Sequence, residues 1–447
     1  MPFAPLAHVP APEPGEGPWP RNLTREANGE VALAGHTLTE LAENGTPVYL
    51  VDKDDMVARA KAWVDAIGEG DVYYAGKSFL TPAVARWMYE EGLGIDTASE
   101  GELRTALAGR VPGERIGLHG NSKSDSTLKL ALENYIGRIV VDSPGEVEQI
   151  ATIASELGVV APCLVRVTTG VHAGGHEFIA TAHEDQKFGL SLATGAALEV
   201  VSEIAKNPHL KFLGLHSHIG SQILDPQGFA AAADAVIEFA GELAKRGIEV
   251  HEVDLGGGYG IQYTGEDPAP QTEVEMIAGI RSALESACDK AGIPVPRMSI
   301  EPGRSISGPS GITLYTVGAT KDVMTDDGVR RYVSIDGGMS DNTRPALYGA
   351  NYTALLNRES DAELVPTRVV GMHCESGDIV VKDVALPKDV TRGDLLLVAA
   401  TGAYGRSMAS NYNMVRKPGV LAVSDRGTAW LMRPETWEDV LGLFPEL

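Results

Sequence analysis

The chain has 447 residues, of which 43% are hydrophobic and 22% charged, and its formal net charge is −24. This length suffices for two or three domains, or for one barrel and a smaller unit. Such acidity disfavours nucleic acids and anionic membranes as partners, and no apolar stretch approaches the ~20 residues that span a bilayer. The widely spaced Cys163, Cys288 and Cys374 exclude a disulfide framework and favour a reducing cytoplasm.

The first segment, residues 1–20, is rich in proline and alanine. It lacks a basic region followed by an apolar core, so it does not fit a signal peptide. Its composition is typical of a flexible N-terminal arm.

Residues 47–310 alternate short apolar runs with helical patterns, which predicts parallel βα units. Their number predicts a (β/α)8 barrel of the TIM type. The predicted strands are Val48–Val51, Val72–Ala75, Leu93–Asp96, Arg115–Leu118, Arg138–Val141, Cys163–Val167, Phe212–His216, Val250–Leu255 and Met298–Ile300. Polar residues follow these strands, and strand ends of such barrels converge at the mouth that carries the chemistry.

Beyond residue 311 the pattern changes to short β-like runs joined by turns. The predicted strands are Ile312–Val317, Arg331–Ile335, Thr367–Val370, Ile379–Val381, Leu395–Ala399, Val420–Val423 and Thr428–Met432. We therefore predict a mostly β domain formed by residues 21–46 and 311–447, in which residues 31–46 add a strand.

Lys77 closes the apolar run of residues 72–76. A lysine that points inward from a buried strand is partly desolvated, which makes its amine available for covalent chemistry with a carbonyl. A solvated lysine at a strand end is the alternative, and the motifs that follow favour the reactive one.

His216 and His218 flank Ser217, directly after a predicted strand. Residues two apart share one face of a strand, so this pair could bind a metal. No third ligand with suitable spacing is evident, however. An imidazole lying flat on an aromatic ligand and a hydrogen-bonded core histidine are the alternatives.

Two glycine-containing turns follow the next strands. Gly256–Gly258 could bring backbone N–H groups close to a phosphate, although Ile261 breaks the dinucleotide-binding pattern. In the turn that runs from Glu301 to Arg304, the arginine could grip an anion and the glutamate could hold a proton on a ring nitrogen. A tight structural turn is the alternative in both cases.

In the β domain, Cys374 lies among acidic and hydroxyl residues, where a thiol can act as a proton donor. A buried, inert cysteine is the commoner role for this residue type. Tyr404 places a phenol in a turn flanked by glycines.

Together these motifs resemble the fold-type III pyridoxal-phosphate-dependent decarboxylases, and among them the diaminopimelate decarboxylase family. The resemblance runs from about residue 45 to residue 433. The motifs that carry it are Tyr74-Ala75-Gly76-Lys77, His216-Ser217-His218-Ile219-Gly220-Ser221, Asp254-Leu255-Gly256-Gly257-Gly258, Glu301-Pro302-Gly303-Arg304, Asp336-Gly337-Gly338-Met339, Cys374-Glu375-Ser376-Gly377-Asp378 and Thr401-Gly402-Ala403-Tyr404.

The resemblance implies roles for individual residues. It implies that pyridoxal 5′-phosphate is bound by Lys77, His218, Ser221, Gly258, Glu301, Gly303, Arg304 and Tyr404. It implies that the amino-acid substrate is bound by Arg304, Arg344, Tyr348, Glu375 and Tyr404. It implies the catalytic residues Lys77, His218, Glu301 and Cys374, and no metal. Within this set, Lys77 would bind the cofactor covalently, His218 would stack on its ring and Glu301 would pair with the pyridine nitrogen.

The same resemblance implies a homodimer with shared active sites, in which Cys374 of the partner subunit protonates the product. It implies decarboxylation of meso-2,6-diaminopimelate to L-lysine and carbon dioxide, the last step of lysine biosynthesis. Glutamate at position 301 favours decarboxylation, because an arginine would suit racemisation better. Two arginines for a distal carboxylate and Glu375 for an ammonium match this substrate.

Three alternatives remain open at this point. An ornithine, lysine or arginine decarboxylase of the same fold would share most of these motifs. A non-catalytic homologue acting as a binding partner would be expected to have lost Lys77 or Cys374, and both are present. A metal-dependent barrel hydrolase would use His216 and His218.

Overall fold

The computed structural model describes residues 2–6, 10–171 and 187–445. The chain divides into two compact units. The barrel unit comprises residues 59–260 and 270–304, and the β unit comprises residues 1–58, 261–269 and 305–447.

The strands, in chain order, are β1 Leu23–Arg25, β2 Val31–Leu33, β3 His36–Thr37, β4 Val48–Asp52, β5 Gly70–Ala75, β6 Gly94–Thr97, β7 Ile116–Leu118, β8 Arg138–Val141, β9 Ala161–Thr168, β10 Leu190–Ser191, β11 Leu210–His216, β12 Glu252–Asp254, β13 Arg297–Ile300, β14 Gly311–Thr325, β15 Gly328–Ile335, β16 Ala354–Leu356, β17 Leu364–Val370, β18 Ile379–Pro387, β19 Leu395–Val398, β20 Val420–Ser424 and β21 Gly427–Met432.

The α-helices are α1 Leu38–Ala42, α2 Lys53–Ile67, α3 Pro82–Glu90, α4 Glu100–Ala108, α5 Asp125–Glu133, α6 Pro144–Leu157, α7 Ala196–Lys206, α8 Gln227–Lys245, α9 Glu273–Ala291, α10 Arg304–Ser307, α11 Arg344–Tyr348 and α12 Trp437–Leu441. Short 3₁₀ turns occupy Gly76–Ser78, Gly113–Arg115, Arg406–Met408 and Tyr412–Met414. Across the described part of the chain, none of the helices is both long and apolar enough to cross a membrane.

Eight parallel strands close the barrel in the order β5-β6-β7-β8-β9-β11-β12-β13, and β13 pairs with β5 to complete the ring. The short strand β10 pairs with β9 outside this ring. The structure confirms the predicted (β/α)8 barrel. Because every barrel strand runs in the same direction, the polar residues that follow the strands are gathered at one mouth.

The barrel elements form for local reasons that are visible in the sequence. All four residues of β8 are buried, as expected for a parallel strand covered on both faces. The helix α3 begins at Thr81, whose hydroxyl accepts a hydrogen bond from the Val84 N–H, and Pro82 occupies the first helical position. The helix α6 ends at Gly158, which has a φ of 68° that suits glycine.

The β unit contains a large sheet with strand order β18-β17-β15-β14-β4-β20-β21, and β19 pairs with both β14 and β16. A separate three-stranded sheet consists of β1, β2 and β3. Buried apolar side chains such as Leu50, Tyr315 and Leu397 form one core cluster in this unit. The structure confirms the predicted, mostly β second domain.

Two placements differ from the sequence analysis. Val48–Val51 headed the predicted barrel series, but β4 lies in the β unit, antiparallel to β14 and parallel to β20. A short apolar run does not encode which partners it pairs with, so periodicity alone misplaces it. The strand expected within residues 31–46 is present as β2 and β3. β2 pairs with both β1 and β3, and this small sheet is separate from the large sheet.

Part of the predicted N-terminal arm makes specific contacts. Trp19 is only 1% exposed, and its indole N–H donates a hydrogen bond to the Pro12 carbonyl at 2.9 Å. Phe3 forms a β-bridge with Val329. Composition suggested flexibility, but a single buried tryptophan is enough to tie a proline-rich segment to the core.

Candidate active site

Lys77 lies in the turn that follows β5, at the carboxyl end of the strand. The Ser78 hydroxyl holds the turn by donating to the Ala75 carbonyl at 2.8 Å. A Cβ at Gly76 would lie 2.8 Å from the Asp96 carbonyl, so only glycine fits there. The Lys77 side chain is exposed and not partly desolvated as the sequence analysis expected. Lys77 therefore stands at the barrel mouth.

The Glu301 carboxylate is buried directly after β13, at 8% exposure. Its Oε1 lies 2.9 Å from His216 Nε2 and 3.3 Å from His119 Nε2. Burial acts to raise the pKa of Glu301, but the adjacent imidazoles of His119 and His216 outweigh it and hold this pKa well below its usual range. Glu301 is therefore a charged carboxylate in a buried position.

The pKa values of the residues around Glu301 are shifted in different directions. Burial, followed by the effect of the Glu301 charge, raises the pKa of Asp96 well above its usual value. Burial lowers the pKa of both His119 and His216 to about 4, although Glu301 acts against this. Among the described residues, neither carboxylate oxygen of Asp96 has a hydrogen-bond partner, and Asp96 Oδ1 lies 3.2 Å from His119 Nε2. The cluster thus joins a carboxyl group whose pKa is lowered, Glu301, to one whose pKa is raised, Asp96.

Sequence analysis assigned no role to Asp96 or His119, and it considered His216 only as a possible metal ligand together with His218. Each stands at a strand end, and that position was the available signal. Their pairing with Glu301 was not visible, since it joins residues from four different strands of the barrel. The structure identifies them as the residues that surround the Glu301 carboxylate.

His218 follows β11 and is partly buried. Burial, together with the nearby Lys77 ammonium, lowers its pKa to about 3, so the ring is neutral near pH 7. Its Nδ1 is buried and has no hydrogen-bond partner within the described ranges. A neutral, partly buried imidazole is suited to stacking on an aromatic ligand.

The Gly256–Gly258 loop packs tightly against its neighbours in the barrel unit. A Cβ at Gly256, where φ is +71°, would lie 2.6 Å from the Ser217 carbonyl. A Cβ at Gly258, where φ is +109°, would collide with the Gly220 carbonyl. Both glycines are therefore required by conformation and by space, and the loop backbone lies directly against the segment that carries His218.

Ser221, Gly303 and Arg304 complete the predicted cofactor residues of the barrel unit. The Arg304 Nη2 donates a hydrogen bond to the Ser221 hydroxyl at 2.9 Å. A Cβ at Gly303 would lie 2.9 Å from the Ala75 Cβ, so the turn after β13 abuts the end of β5. An arginine and a hydroxyl in contact are suited to an oxyanion.

Arg344, in the β unit, is one of the residues predicted to bind the substrate. It is only 8% exposed, and its Nη1 donates to the Tyr352 hydroxyl at 2.7 Å. Its guanidinium carbon lies 4.9 Å from the centre of the Tyr263 ring and 6.0 Å from that of Tyr404. Tyr348, at the end of α11, is 65% exposed. The structure thus brings Arg344 and Tyr404 together and leaves Tyr348 outside this cluster.

Cys374 and Glu375 are both exposed, on the loop between β17 and β18. The Gly377 N–H donates to the Glu375 carboxylate at 3.2 Å. Cys163 and Cys288, in contrast, are buried. Of the three thiols, only that of Cys374 is positioned to meet a ligand from solvent.

The residues that the structure groups as possible metal ligands differ from the pair considered in the sequence analysis, His216 and His218. Within the described ranges, the group of metal-ligand type is His119, His216 and Glu301, whose ligand atoms lie within 4.8 Å of one another. His218 is not part of it. The two imidazoles already contact the Glu301 carboxylate, which gives them a role without an ion. The absence of a bound metal remains a prediction.

Comparisons with known proteins identify the family of this chain. Residues 53–308 match the family described as pyridoxal-dependent decarboxylase, pyridoxal binding domain. The diaminopimelate decarboxylase of Mycobacterium tuberculosis is 50% identical over 434 residues, which cover 95% of this chain and 97% of that protein. The corresponding Bacillus subtilis protein is 42% identical over 423 residues, with coverages of 93% and 95%.

A comparison with solved structures points to the same family. The crystal structure of diaminopimelate decarboxylase from M. jannaschii in complex with L-lysine is similar with a TM-score of 0.89. Its sequence is 31% identical, and the match covers 96% of this chain and 98% of that chain. On the evidence of sequence, barrel and site, this chain belongs to the diaminopimelate decarboxylase family of pyridoxal-dependent decarboxylases.

Proposed function

We propose that this chain decarboxylates meso-2,6-diaminopimelate to L-lysine and carbon dioxide with pyridoxal 5′-phosphate as cofactor, the last step of lysine biosynthesis. The observation that carries the proposal is the buried, charged Glu301 carboxylate, fixed by two imidazoles at the same barrel mouth as Lys77. The relative from M. jannaschii was solved with L-lysine, the product expected here.

The residues of the barrel unit fit the cofactor. Gly256 and Gly258 leave no room for a Cβ, so backbone N–H groups can approach a phosphate closely. The Arg304 guanidinium and the Ser221 hydroxyl add donors for the same anion. The residues proposed to hold the cofactor are Lys77, His218, Ser221, Gly258, Glu301, Gly303, Arg304 and Tyr404.

When bound, pyridoxal phosphate supplies an electron sink for the negative charge left on the substrate carbon by loss of carbon dioxide. Glu301 stabilises a proton on the pyridine nitrogen, because its carboxylate stays charged while buried. His216 Nε2 and His119 Nε2 hold that carboxylate in place. The amine of Lys77 would hold the cofactor, because a primary amine can bond to a carbonyl carbon.

Substrate recognition follows from charge matching. Diaminopimelate carries an ammonium and a carboxylate at its distal end, and an unpaired charge would be costly in a closed site. We assign the carboxylate to Arg304 and Arg344 and the ammonium to Glu375, with Tyr348 and Tyr404 as further contacts. A simple lysine, ornithine or arginine substrate would leave an arginine without a partner.

Cys374 is assigned as the proton donor to the product carbon. Its thiol is exposed, and a thiol can act as a general acid that delivers a proton to carbon. The carbon that loses carbon dioxide takes this proton, and solvent reprotonates the sulfur.

A substrate comparison tests the proposed activity. Release of carbon dioxide would be measured from meso-diaminopimelate, L-lysine, L-ornithine and L-arginine with the cofactor-loaded protein. We expect diaminopimelate to exceed the others in kcat/KM by about 10³-fold or more, since its distal carboxylate pairs with buried or partly buried arginines. A preference for ornithine, lysine or arginine would establish the alternative activity.

We also propose an obligate homodimer in the cytoplasm, in which each subunit supplies Cys374 to the site of the other. A twofold dimer repeats every contact, so both sites are completed in the same way. The three cysteines are unpaired, which agrees with a reducing compartment.

Complementation tests the shared sites. Lys77→Ala and Cys374→Ala should each be nearly inactive alone. After subunit exchange about half of the dimers are mixed, and each has one intact site, so activity should return to about a quarter of the wild-type value. A lack of recovery, with exchange verified by mass spectrometry, would place Cys374 in the site of its own chain.

A further inference from the structure

The segment from Asp336 to Met339 has no role in the proposed function, yet it contacts a buried carboxylate. Asp378, at 3% exposure, accepts a hydrogen bond on Oδ1 from the Met339 N–H at 2.6 Å. Its Oδ2 accepts one from the His373 N–H at 2.8 Å. One carboxylate thus joins the turn after β15 to the loop that carries Cys374.

Two glycines leave the space that this carboxylate fills. A Cβ at Gly338 would lie 2.6 Å from both carboxylate oxygens of Asp378. A Cβ at Gly371 would collide with the same carboxylate, and the three atoms nearest to it all belong to Asp378. Neither glycine has a positive φ, so the requirement is one of space. Gly338 and Gly371 are therefore glycines because Asp378 occupies the volume of their side chains.

Further hydrogen bonds hold the same loop. The Gly371 N–H donates to the Asp378 carbonyl at 2.9 Å and closes the loop at its base. The Met372 N–H donates to the Gly337 carbonyl at 2.9 Å. The buried His373 ring contacts the Ser340 hydroxyl through Nε2 at 2.8 Å. The base of the loop is fixed on both sides, while Cys374 and Glu375 lie exposed at its tip.

We propose that Asp378 is a positioning residue for the decarboxylation. Its carboxylate couples the 336–339 turn to the 371–378 loop and so fixes where Cys374 and Glu375 are presented. The inference rests on the proposed function for the roles of those two residues. A misplacement of about 1 Å in a positioned group can lower a rate by about 10²-fold, so a rigid loop base has a direct effect on turnover.

Two substitutions remove the coupling in different ways. Asp378→Asn keeps one acceptor oxygen but turns an NH₂ donor toward one of the two backbone N–H groups. Gly338→Ala leaves the carboxylate intact but fills its space. The matched controls are Asp394→Asn, whose carboxylate accepts from the Thr391 N–H at 3.0 Å in another loop of the β unit, and Gly318→Ala, where a Cβ would meet nothing closer than 3.7 Å.

The measurements are made on the cofactor-loaded, full-length protein. The first is the alkylation rate of each cysteine by iodoacetamide, resolved by peptide mass spectrometry, in which the buried Cys163 and Cys288 report unfolding. The second is the separation of KM from kcat for meso-diaminopimelate. We expect both test variants to alkylate Cys374 at least about fivefold faster, with Cys163 and Cys288 still protected, because Cys374 is exposed in the single chain but would be shielded inside the partner's site in the proposed dimer, and a loosened loop would withdraw it from that site. We expect kcat/KM to fall about tenfold or more, with bound cofactor unchanged.

The outcomes separate this inference from the proposed function. A selective rise at Cys374 in both variants, with controls at the wild-type rate, supports the coupling. An unchanged rate and KM would overturn it, and so would an equal rise at all three cysteines, which indicates a purely structural role. If the wild-type protein does not decarboxylate diaminopimelate, the proposed function fails, and the alkylation rates still decide whether Asp378 holds the loop.

Discussion

The barrel unit and the β unit present their functional residues in different ways. In the barrel unit, Glu301 and His218 are at least partly buried, and they follow strands whose ends pack on one another. Lys77 is the exposed exception in the barrel unit. In the β unit Arg344 is buried, but Tyr348, Cys374 and Glu375 are exposed on loops or at the end of a short helix. A rigid scaffold suits the cofactor, whose reacting atoms need fixed partners, and loops suit the part of the substrate that varies between enzymes.

Two buried carboxyl groups show how neighbours decide the electrostatics of each unit. Glu301 in the barrel unit and Asp341 in the β unit are both almost inaccessible to solvent. Two imidazoles hold the pKa of Glu301 well below its usual range despite burial. Burial raises the pKa of Asp341 to about 7, with the Tyr315 hydroxyl only partly opposing it. Burial alone therefore does not predict the charge of a carboxyl group.

The largest expected effect comes from the exposed amine of the barrel unit. Lys77→Ala should lower decarboxylation by about 10⁴-fold or more, since cofactor anchoring and exchange with the substrate amine both need this group. The visible absorbance of the bound cofactor should change with it. Lys61→Ala, which removes an exposed ammonium paired with Asp65, is the control and should retain full activity. An active Lys77→Ala protein would refute the assignment of the cofactor site.

The second-largest expected effect comes from removing the buried negative charge of Glu301 in the barrel unit. Glu301→Gln should retain the cofactor but lower kcat by about 10²–10³-fold, because a neutral amide no longer stabilises a proton on the ring nitrogen. Cofactor content and kcat would be measured together. Glu100→Gln, on the barrel surface beside Arg104, serves as the control. Unchanged turnover in Glu301→Gln would show that the carboxylate is structural only.

Substitutions in the β unit should lower substrate turnover and leave cofactor binding unchanged. Arg344→Ala and Glu375→Ala should each lower kcat/KM for meso-diaminopimelate by about 30-fold, or ~2 kcal/mol, because each removes one charged contact with the distal end. Cofactor affinity should stay within about twofold. Arg426→Ala, with a side chain that is 93% exposed, is the control. Normal kinetics in either test variant would remove that residue from the substrate site.

The last prediction concerns stability and not turnover, and its effect is small for each unit of pH. The raised pKa of Asp341 means that the folded state keeps its proton between pH 3.8 and about 7, whereas the unfolded state has lost it. Asp341 therefore favours folding at low pH, and this contribution declines as pH rises through that window, by at most ~1.4 kcal/mol per pH unit. Asp341→Asn should remove this slope from urea unfolding curves measured between pH 5 and pH 8. An identical slope in the variant would contradict the assigned pKa.

The sequence predicted the barrel well and the surroundings of its charged residue poorly. All eight barrel strands were visible as apolar runs, and the glycine-rich turns pointed to an anion. The cluster of Asp96, His119 and His216 around Glu301 was not visible, because barrel closure brings together strands that are distant in sequence. The placement of β4 failed for a related reason, since strand partners are set by packing and not by periodicity.

In the β unit the limits were different. Seven strands were recognised from short β-like runs, whereas β1 and β16 were not. Arg344, Tyr348 and Glu375 were assigned only through family resemblance. Exposed loop residues carry no periodic signal, so nothing in the local sequence distinguishes a ligand-binding glutamate from a solvated one. Asp378 also contacts Gly338, which lies more than thirty residues away in the chain, and Gly371, which lies in its own loop. Only the three-dimensional structure reveals the contact with Gly338.

The glycine contacts at the barrel mouth bear on how such an enzyme can change its substrate. A Cβ at Gly258 would meet the Gly220 carbonyl, one at Gly257 would meet the Glu301 carbonyl, and one at Gly303 would meet Ala75. Adding one methyl group to any of these loops would therefore displace a neighbouring loop. Random substitution there is rejected by sterics before it can alter selectivity. Glu375 and Tyr348 carry no such restriction, because both are exposed. We therefore expect the substrate contacts proposed in the β unit to accept substitutions more readily than the glycine turns of the barrel mouth.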